Sequence, residues 1–173
     1  WDFITFKEKN LSFLKKANII VNCVGKTNND NSNLENVNFI FIKKLLKHIK
    51  TYQSKVRLIH LSSVAVYGGA ENYLNQSKII VENTTTKTNN LYSKSKLKAD
   101  MLIKNTIKRN LSKNLSFTIL RISNVFGGKQ NSNLYRFVMF TLKLGFWIKT
   151  SNEIMYNFVH VKDVSQVVNL IIS

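Results

Sequence analysis

Cysteine, proline, glycine and acidic side chains are all scarce in this 173-residue chain. One cysteine, Cys23, excludes an internal disulfide framework and a cysteine-built zinc site. Proline is absent, so segment boundaries have to be read from six glycines and from polar stretches. No apolar run reaches the roughly 18 residues of a spanning helix, because Lys143 interrupts the longest candidate, around Phe137 to Ile148. No secretory leader pattern is visible, since the first residues mix polar and aromatic types. The chain opens on Trp1 rather than Met, which sets up the expectation that residues precede it.

Lysine is abundant. There are 26 Lys plus Arg against 9 Asp plus Glu, a formal charge of +17. A charge of this size invites a nucleic-acid reading, because clustered cations neutralise phosphates. The balance within the basic set argues otherwise: 22 are Lys and four are Arg, beside 23 Asn. Lys, Asn and Ile share A/T-rich codons, so a biased coding sequence gives the same signature. Arg, which forks onto phosphates and guanine edges, is the rare one. Nucleic acid is therefore not expected as the partner, although the charge should attract anions of any kind. The hydrophobic fraction of 44% is that of an ordinary globular chain, and the length suits one domain with a sizeable core.

The pattern alternates. Ala17 to Val24 is a short apolar run ending at Gly25, followed by a polar loop from Lys26 to Asn33. Leu34 to Lys50 carries apolar residues at helical spacing, with lysines opposite, and places His48 among the solvated residues. Val56 to Leu61 is a second strand, closed by Ser62 and Ser63. A polar stretch from Tyr67 to Asn90 leads into a helix from Tyr92 to Arg109. Leu115 to Ile122 is a third strand ending near Asn124 and Gly127-Gly128. Leu134 to Leu144 reads as a helix, Asn157 to Val161 as a short strand, and Asp163 to Ile172 as a closing helix. Strands apolar on both faces and separated by helices predict a parallel sheet covered by helices on both faces. In such a sheet function sits at the carboxyl ends of the strands. Here those ends are Cys23-Val24-Gly25, Ser62-Ser63 and Ile122-Ser123-Asn124.

The sharpest local signal is Tyr92-Ser-Lys-Ser-Lys96. Positions four apart share a helix face, so phenol and ammonium can point at one spot, and a nearby cation favours the phenolate. Taken alone the pair is weak, since chance supplies about 0.8 Tyr-x-x-x-Lys matches in this composition. Order adds weight. The run Leu-Ser-Ser-Val-Ala-Val-Tyr-Gly ends the second strand, with Tyr92 falling 29 residues after Ser63. Leu-Arg-Ile-Ser-Asn-Val-Phe-Gly and Asn-Phe-Val-His-Val-Lys-Asp-Val then follow in turn.

From about Ala17 to the end, this series resembles the extended short-chain dehydrogenase/reductase family, the NAD-dependent epimerases and dehydratases acting on nucleotide sugars. The resemblance implies a Rossmann-like α/β fold, incomplete at its N-terminus and lacking most of the substrate lobe, with residues 1–173 as one partial NAD(P)-binding domain. It implies Tyr92 as acid/base, Lys96 as its partner lowering the phenol pKa and holding the nicotinamide ribose, and Ser63 as the donor to the reacting oxygen. Cys23, Val24, Gly25 and Ser62 fall among the positions lining NAD or NADP, and Asn124 at the substrate. Asn38 matches a frequent family asparagine, and Asp2 the adenine-side acid. A small-molecule substrate, no membrane, no metal, a cytoplasmic location and a homodimer belong to the same expectation.

Departures are also legible. The glycine-rich pyrophosphate turn is absent from the sequence, Tyr156-Asn157 replaces a common Arg-Asp, and Gly128 stands where proline is usual. Weak cofactor binding by these 173 residues alone is expected. The residues themselves leave the bland alternatives open: a strand end for the serines, packing for His160, and a small core residue for Cys23. A non-catalytic nucleotide- or RNA-binding module on the same fold is the competing function, and an assembly subunit a third.

Overall fold

Apolar runs become strands and amphipathic segments become helices, in the predicted order. The computed structural model describes residues 11, 14–27, 33–52, 55–68, 79–108, 115–127, 133–145 and 157–173. Asp2, Gly69, Gly128 and Tyr156 lie outside the described residues. The chain falls into two compact units, Trp1–Gly68 with Asn83–Arg121, and Gly69–Glu82 with Ile122–Ser173.

The first unit holds a three-stranded sheet of β1 (Ile19–Asn22), β2 (Val56–Ser63) and β3 (Leu115–Ile122), in that spatial order. Strands β1 and β2 run parallel in a register from Ile19↔Arg57 to Asn22↔His60. Central β2 buries residues of both faces in turn, Leu58, Ile59 and His60 among them, which is why its sequence is an unbroken apolar run rather than an alternating one. Between β1 and β2 lie a π turn, Asn36–Ile40, and helix α1, Phe41–Tyr52. In α1, Ile42, Leu45, Leu46 and Ile49 are buried, while Lys43, Lys44, Lys47 and Lys50 are exposed. Spacings of three and four put the apolar set on one stripe against the sheet. His48 is 3% exposed, so the expectation of a solvated histidine is corrected: its position on α1 shares the buried side with Leu45 and Ile49. Helix α2, Leu91–Lys108, adds Ala99 and Ile103 to the same core.

The second unit pairs β4 (Asn124–Phe126) with β5 (Phe158–His160) in parallel, with helices α3 (Asn133–Leu144) and α4 (Val161–Ile172). Strand β4 was not anticipated, since three residues are too few to show a period. His160 packs its ring edge-on to Phe126 at 5.1 Å, and its Nδ1 accepts from Lys162 N at 3.2 Å to cap α4. A Cβ on Gly127 would fall inside the His160 ring, and φ at Gly127 is +89°, a region L side chains avoid. Among the described residues, no helix is long and apolar enough to cross a membrane.

Candidate functional site

Three loops and one helix start bring the singled-out residues of the first unit together. Asn90 caps α2: its side chain accepts from Ser93 N at 2.8 Å, and its own N–H donates to Ser93 Oγ at 3.2 Å. This reciprocal cap satisfies donors that the first turn leaves without partners. It also fixes where the helix starts, so Tyr92 lies in the first turn and Lys96 one turn deeper on the same side. Strand β2 ends at Ser63, whose Oγ accepts from Ala65 N at 3.2 Å and starts the turn Val64–Tyr67. The Ser63 hydroxyl lies close enough to the Tyr92 phenol to favour its ionised form.

Lys96 is 4% exposed, and its Nζ donates to Leu61 O at 2.8 Å. The β1–β2 register ends one residue earlier, at His60, so the ammonium caps the strand where pairing stops. Burial pushes Lys96 down from the ordinary lysine value, with Asp100 and Cys23 opposing. A Cβ on Gly25 would sit 3.2 Å from Lys96 Nζ and 3.7 Å from Asn38 Oδ1. Only bare backbone fits there without displacing the ammonium.

Asn38, in the π turn, is the clamp for this loop. Its Oδ1 accepts from Lys26 N at 2.9 Å, and its Nδ2 donates to Lys26 O at 3.0 Å and to Ser95 Oγ at 2.9 Å. Ser95 Oγ in turn donates to Tyr92 O at 2.7 Å. Asn38 thus ties the chain after Gly25 to the turn of α2 between Tyr92 and Lys96.

Several expectations are corrected. Burial raises the Tyr92 phenol, and Ser63, not Lys96, is the group that opposes the rise; the ammonium is spent on Leu61 O instead. Ser62 was expected to line the cofactor, but its side chain is buried and turned to Asp100. Successive strand residues face opposite ways, so Ser63 and Ser62 cannot both reach the open end. Cys23 is exposed rather than a core residue; desolvation raises its thiol, and the Lys96 ammonium opposes. Val24 is half-buried, its N–H donating to Asn22 Oδ1 at 3.1 Å. Asn124 is exposed at the start of β4 in the second unit.

A buried polar cluster beneath Ser63 and Lys96 escaped the sequence reading. His60 and Asp100 are each 0% exposed. His60 Nδ1 bonds Asn22 Nδ2 at 2.8 Å, and Arg121 donates from Nε to Asp100 Oδ2 at 3.1 Å and from Nη1 to Tyr67 Oη at 2.6 Å. Burial, reinforced by the Lys96 charge, lowers His60 to about 3. Burial raises Asp100, with Ser62 and Arg121 opposing. The signal was present: a histidine inside an apolar strand and one of nine acidic residues four positions after Lys96.

The fold defines a Rossmann-like α/β chain, and comparison with known proteins agrees. The model of the NAD dependent epimerase/dehydratase family matches residues 5–173, and the chain belongs to that family. Its structure is similar to that of a dTDP-glucose 4,6-dehydratase from Bacillus anthracis in complex with NAD. The TM-score is 0.74 at 23% identity, over 95% of this chain and 51% of that one. It is similar also to a UDP-N-acetylglucosamine 4-epimerase from Methanobrevibacter ruminantium, TM-score 0.75 at 21% identity, over 96% and 54%. A third similar structure is RMD from Pseudomonas aeruginosa complexed with NADPH, TM-score 0.71 at 20% identity, over 97% and 60%. The chain spans half to three fifths of the length of these structures. No curated protein matches it.

Proposed function

We propose that this chain carries the catalytic residues of an NAD(P)-dependent epimerase, dehydratase or reductase acting on a nucleotide-activated sugar, and that residues 1–173 form one partial cofactor-binding domain. Two observations support the reading: the Ser63 hydroxyl lies at the Tyr92 phenol, and the Lys96 ammonium, one helix turn from Tyr92, lies beside the bare backbone of Gly25. The residues present fit the nicotinamide end of such a cofactor. Gly25 leaves room at the Lys96 ammonium, and an ammonium has three protons, so Lys96 can keep Leu61 O and still offer donors to ribose hydroxyls. Cys23, Val24 and Gly25 would line that end. Bound there, a nicotinamide supplies or accepts the hydride.

The chain's own part is the proton. Tyr92 stays protonated at neutral pH in this structure, because burial raises it; it is therefore set to give a proton to a substrate oxygen. Ser63 donates toward the same oxygen as charge develops on it. Running the reaction in the other direction asks Tyr92 to take a proton, and the Ser63 hydroxyl, which favours the ionised phenol, eases the return step. Asn124 is assigned to the substrate. Similar structures are in complex with NAD, UDP-glucuronic acid or NADPH, which supports the cofactor and substrate classes. The same reading puts the protein in the cytoplasm as a homodimer.

Replacing Tyr92 by Phe in the protein tests this. Loss of acid/base help costs about 10²–10⁴-fold in turnover, while nucleotide affinity stays within a factor of a few; unchanged turnover removes Tyr92 from the mechanism. A second reading, a polyanion-binding surface, draws on the exposed Lys43, Lys44, Lys47 and Lys50 of α1. Salt-dependent RNA retention abolished by Lys-to-Glu changes there favours it.

A further inference from the structure

The amide of Asn22 has a fixed orientation: its Oδ1 accepts from Val24 N, so its Nδ2 is the atom that faces His60 Nδ1. An NH₂ group only donates. His60 Nδ1 must therefore accept, and the neutral ring carries its proton on Nε2. Nε2 lies 3.8 Å from Asp100 Oδ1, too far for a direct hydrogen bond. His60 Nε2, Ser62 Oγ and Asp100 Oδ1 are all fully buried, and none has a hydrogen-bond partner among the described residues. His60 and Ser62 are two apart on β2 and share one face; Asp100 reaches them from α2, with Ser62 Oγ near enough to favour its charged form. Three buried polar atoms left incomplete around one spot cost several kcal/mol unless something joins them.

We propose that a single water molecule is bound between His60 Nε2, Ser62 Oγ and Asp100 Oδ1. The hydrogen count closes. The water accepts from His60 Nε2–H, donates one proton to the Asp100 carboxylate, and shares the other bond with the Ser62 hydroxyl. A metal cation is disfavoured by the His60 N–H aimed at the site, and an anion by the carboxylate, which leaves water as the matching ligand. At a separation of 3.8 Å, an oxygen set to one side of the Nε2–Oδ1 line, toward Ser62, lies about 2.8 Å from each atom.

With the water in place, one unbroken chain runs from Val24 N through Asn22, His60, the water, Asp100 and Arg121 to Tyr67. It links the loop after β1, the end of β2, helix α2 and β3. Ser62 becomes an anchor that fixes the strand end bearing Ser63; this last consequence rests on the oxidoreductase reading, but the water does not.

A crystal structure of the protein at about 1.5 Å tests the site directly. One oxygen peak about 2.6–3.2 Å from all three atoms is expected. No peak, a metal-like peak, or His60 and Asp100 closed into direct contact overturns it. In solution, ¹⁵N spectra of the imidazole should show the neutral Nε2–H tautomer, with magnetisation exchange between that proton and a long-lived water. The Nδ1–H tautomer, or no water cross-peak, also overturns the proposal. Ser62→Val puts a methyl into the site and should abolish the cross-peak; its persistence in the folded variant counts against the assignment. None of these readouts uses turnover, so failure of the enzyme reading leaves the water assignment standing and the reverse also holds.

Discussion

His60 sets the acid behaviour of the first unit. Its ring is held neutral, down to about 3, by burial and the Lys96 charge, whereas an unfolded histidine titrates near 6.5. Between those values the unfolded chain binds a proton that the folded chain refuses, so stability falls as pH drops through this window. The contribution is on the order of a few kcal/mol, since each unit corresponds to about 1.4 kcal/mol. Asp100, raised by burial, acts with the opposite sign, because the folded form takes up its proton first. His60→Gln removes the first contribution and keeps the second. Urea denaturation from pH 7 to pH 5 should show a shallower loss of stability in His60→Gln than in the parent; equal slopes exclude His60 as the cause. At Gly25 the expectation is different. Gly25→Ala brings a Cβ to 3.2 Å from Lys96 Nζ, which Leu61 O holds at 2.8 Å, so the ammonium must shift by a few tenths of an ångström and stability should fall by about 1 kcal/mol. Turnover should fall far more than stability does, which a denaturation curve and an initial-rate assay together decide.

Elements were more legible than their polar wiring. Helix α1 showed itself through Ile42, Leu45, Leu46 and Ile49, and β2 through its apolar run, because burial imposes a period that sequence must obey. The positions of Tyr92 and Lys96 one turn apart on α2, and of Ser63 at the end of β2, were legible because helix spacing and strand ends set them. Ser62 and His48 were misread, and the small-core alternative for Cys23 fails, because one residue of phase decides which way a side chain faces, and phase follows from tertiary packing. The π turn at Asn36–Ile40 has no period of its own; it is held by Asn38. Asn38→Ala should therefore cost about 1–3 kcal/mol, by removing the hydrogen bonds to Lys26 and to Ser95 from a buried side chain, as read from the shift in urea midpoint. In the second unit, Gly127→Ala meets both the His160 ring and a positive φ. A loss of about 2 kcal/mol or more is expected, along with the near-ultraviolet signal of the Phe126–His160 contact; a variant as stable as the parent would show that this turn is not held by His160.

For the molecule as a whole, charge and completeness pull in opposite directions on the cofactor. A net +17 raises the local concentration of any dinucleotide. Yet the sequence holds no glycine-rich turn to seat a pyrophosphate on a helix N-terminus, and on the proposed reading Gly25, Tyr92 and Lys96 serve the nicotinamide end alone. The attraction is therefore mostly unspecific and screened by salt, with a Debye length of about 8 Å at physiological ionic strength. Calorimetry on the 173-residue chain should find NAD⁺ binding weaker than micromolar, with AMP or pyrophosphate competing as well as the dinucleotide, and with the signal vanishing as salt is raised. Lys96→Met should then change little, since long-range charge rather than the ribose contact dominates. Salt-independent micromolar binding, lost in Lys96→Met, would mean that the nicotinamide end alone suffices to select the cofactor.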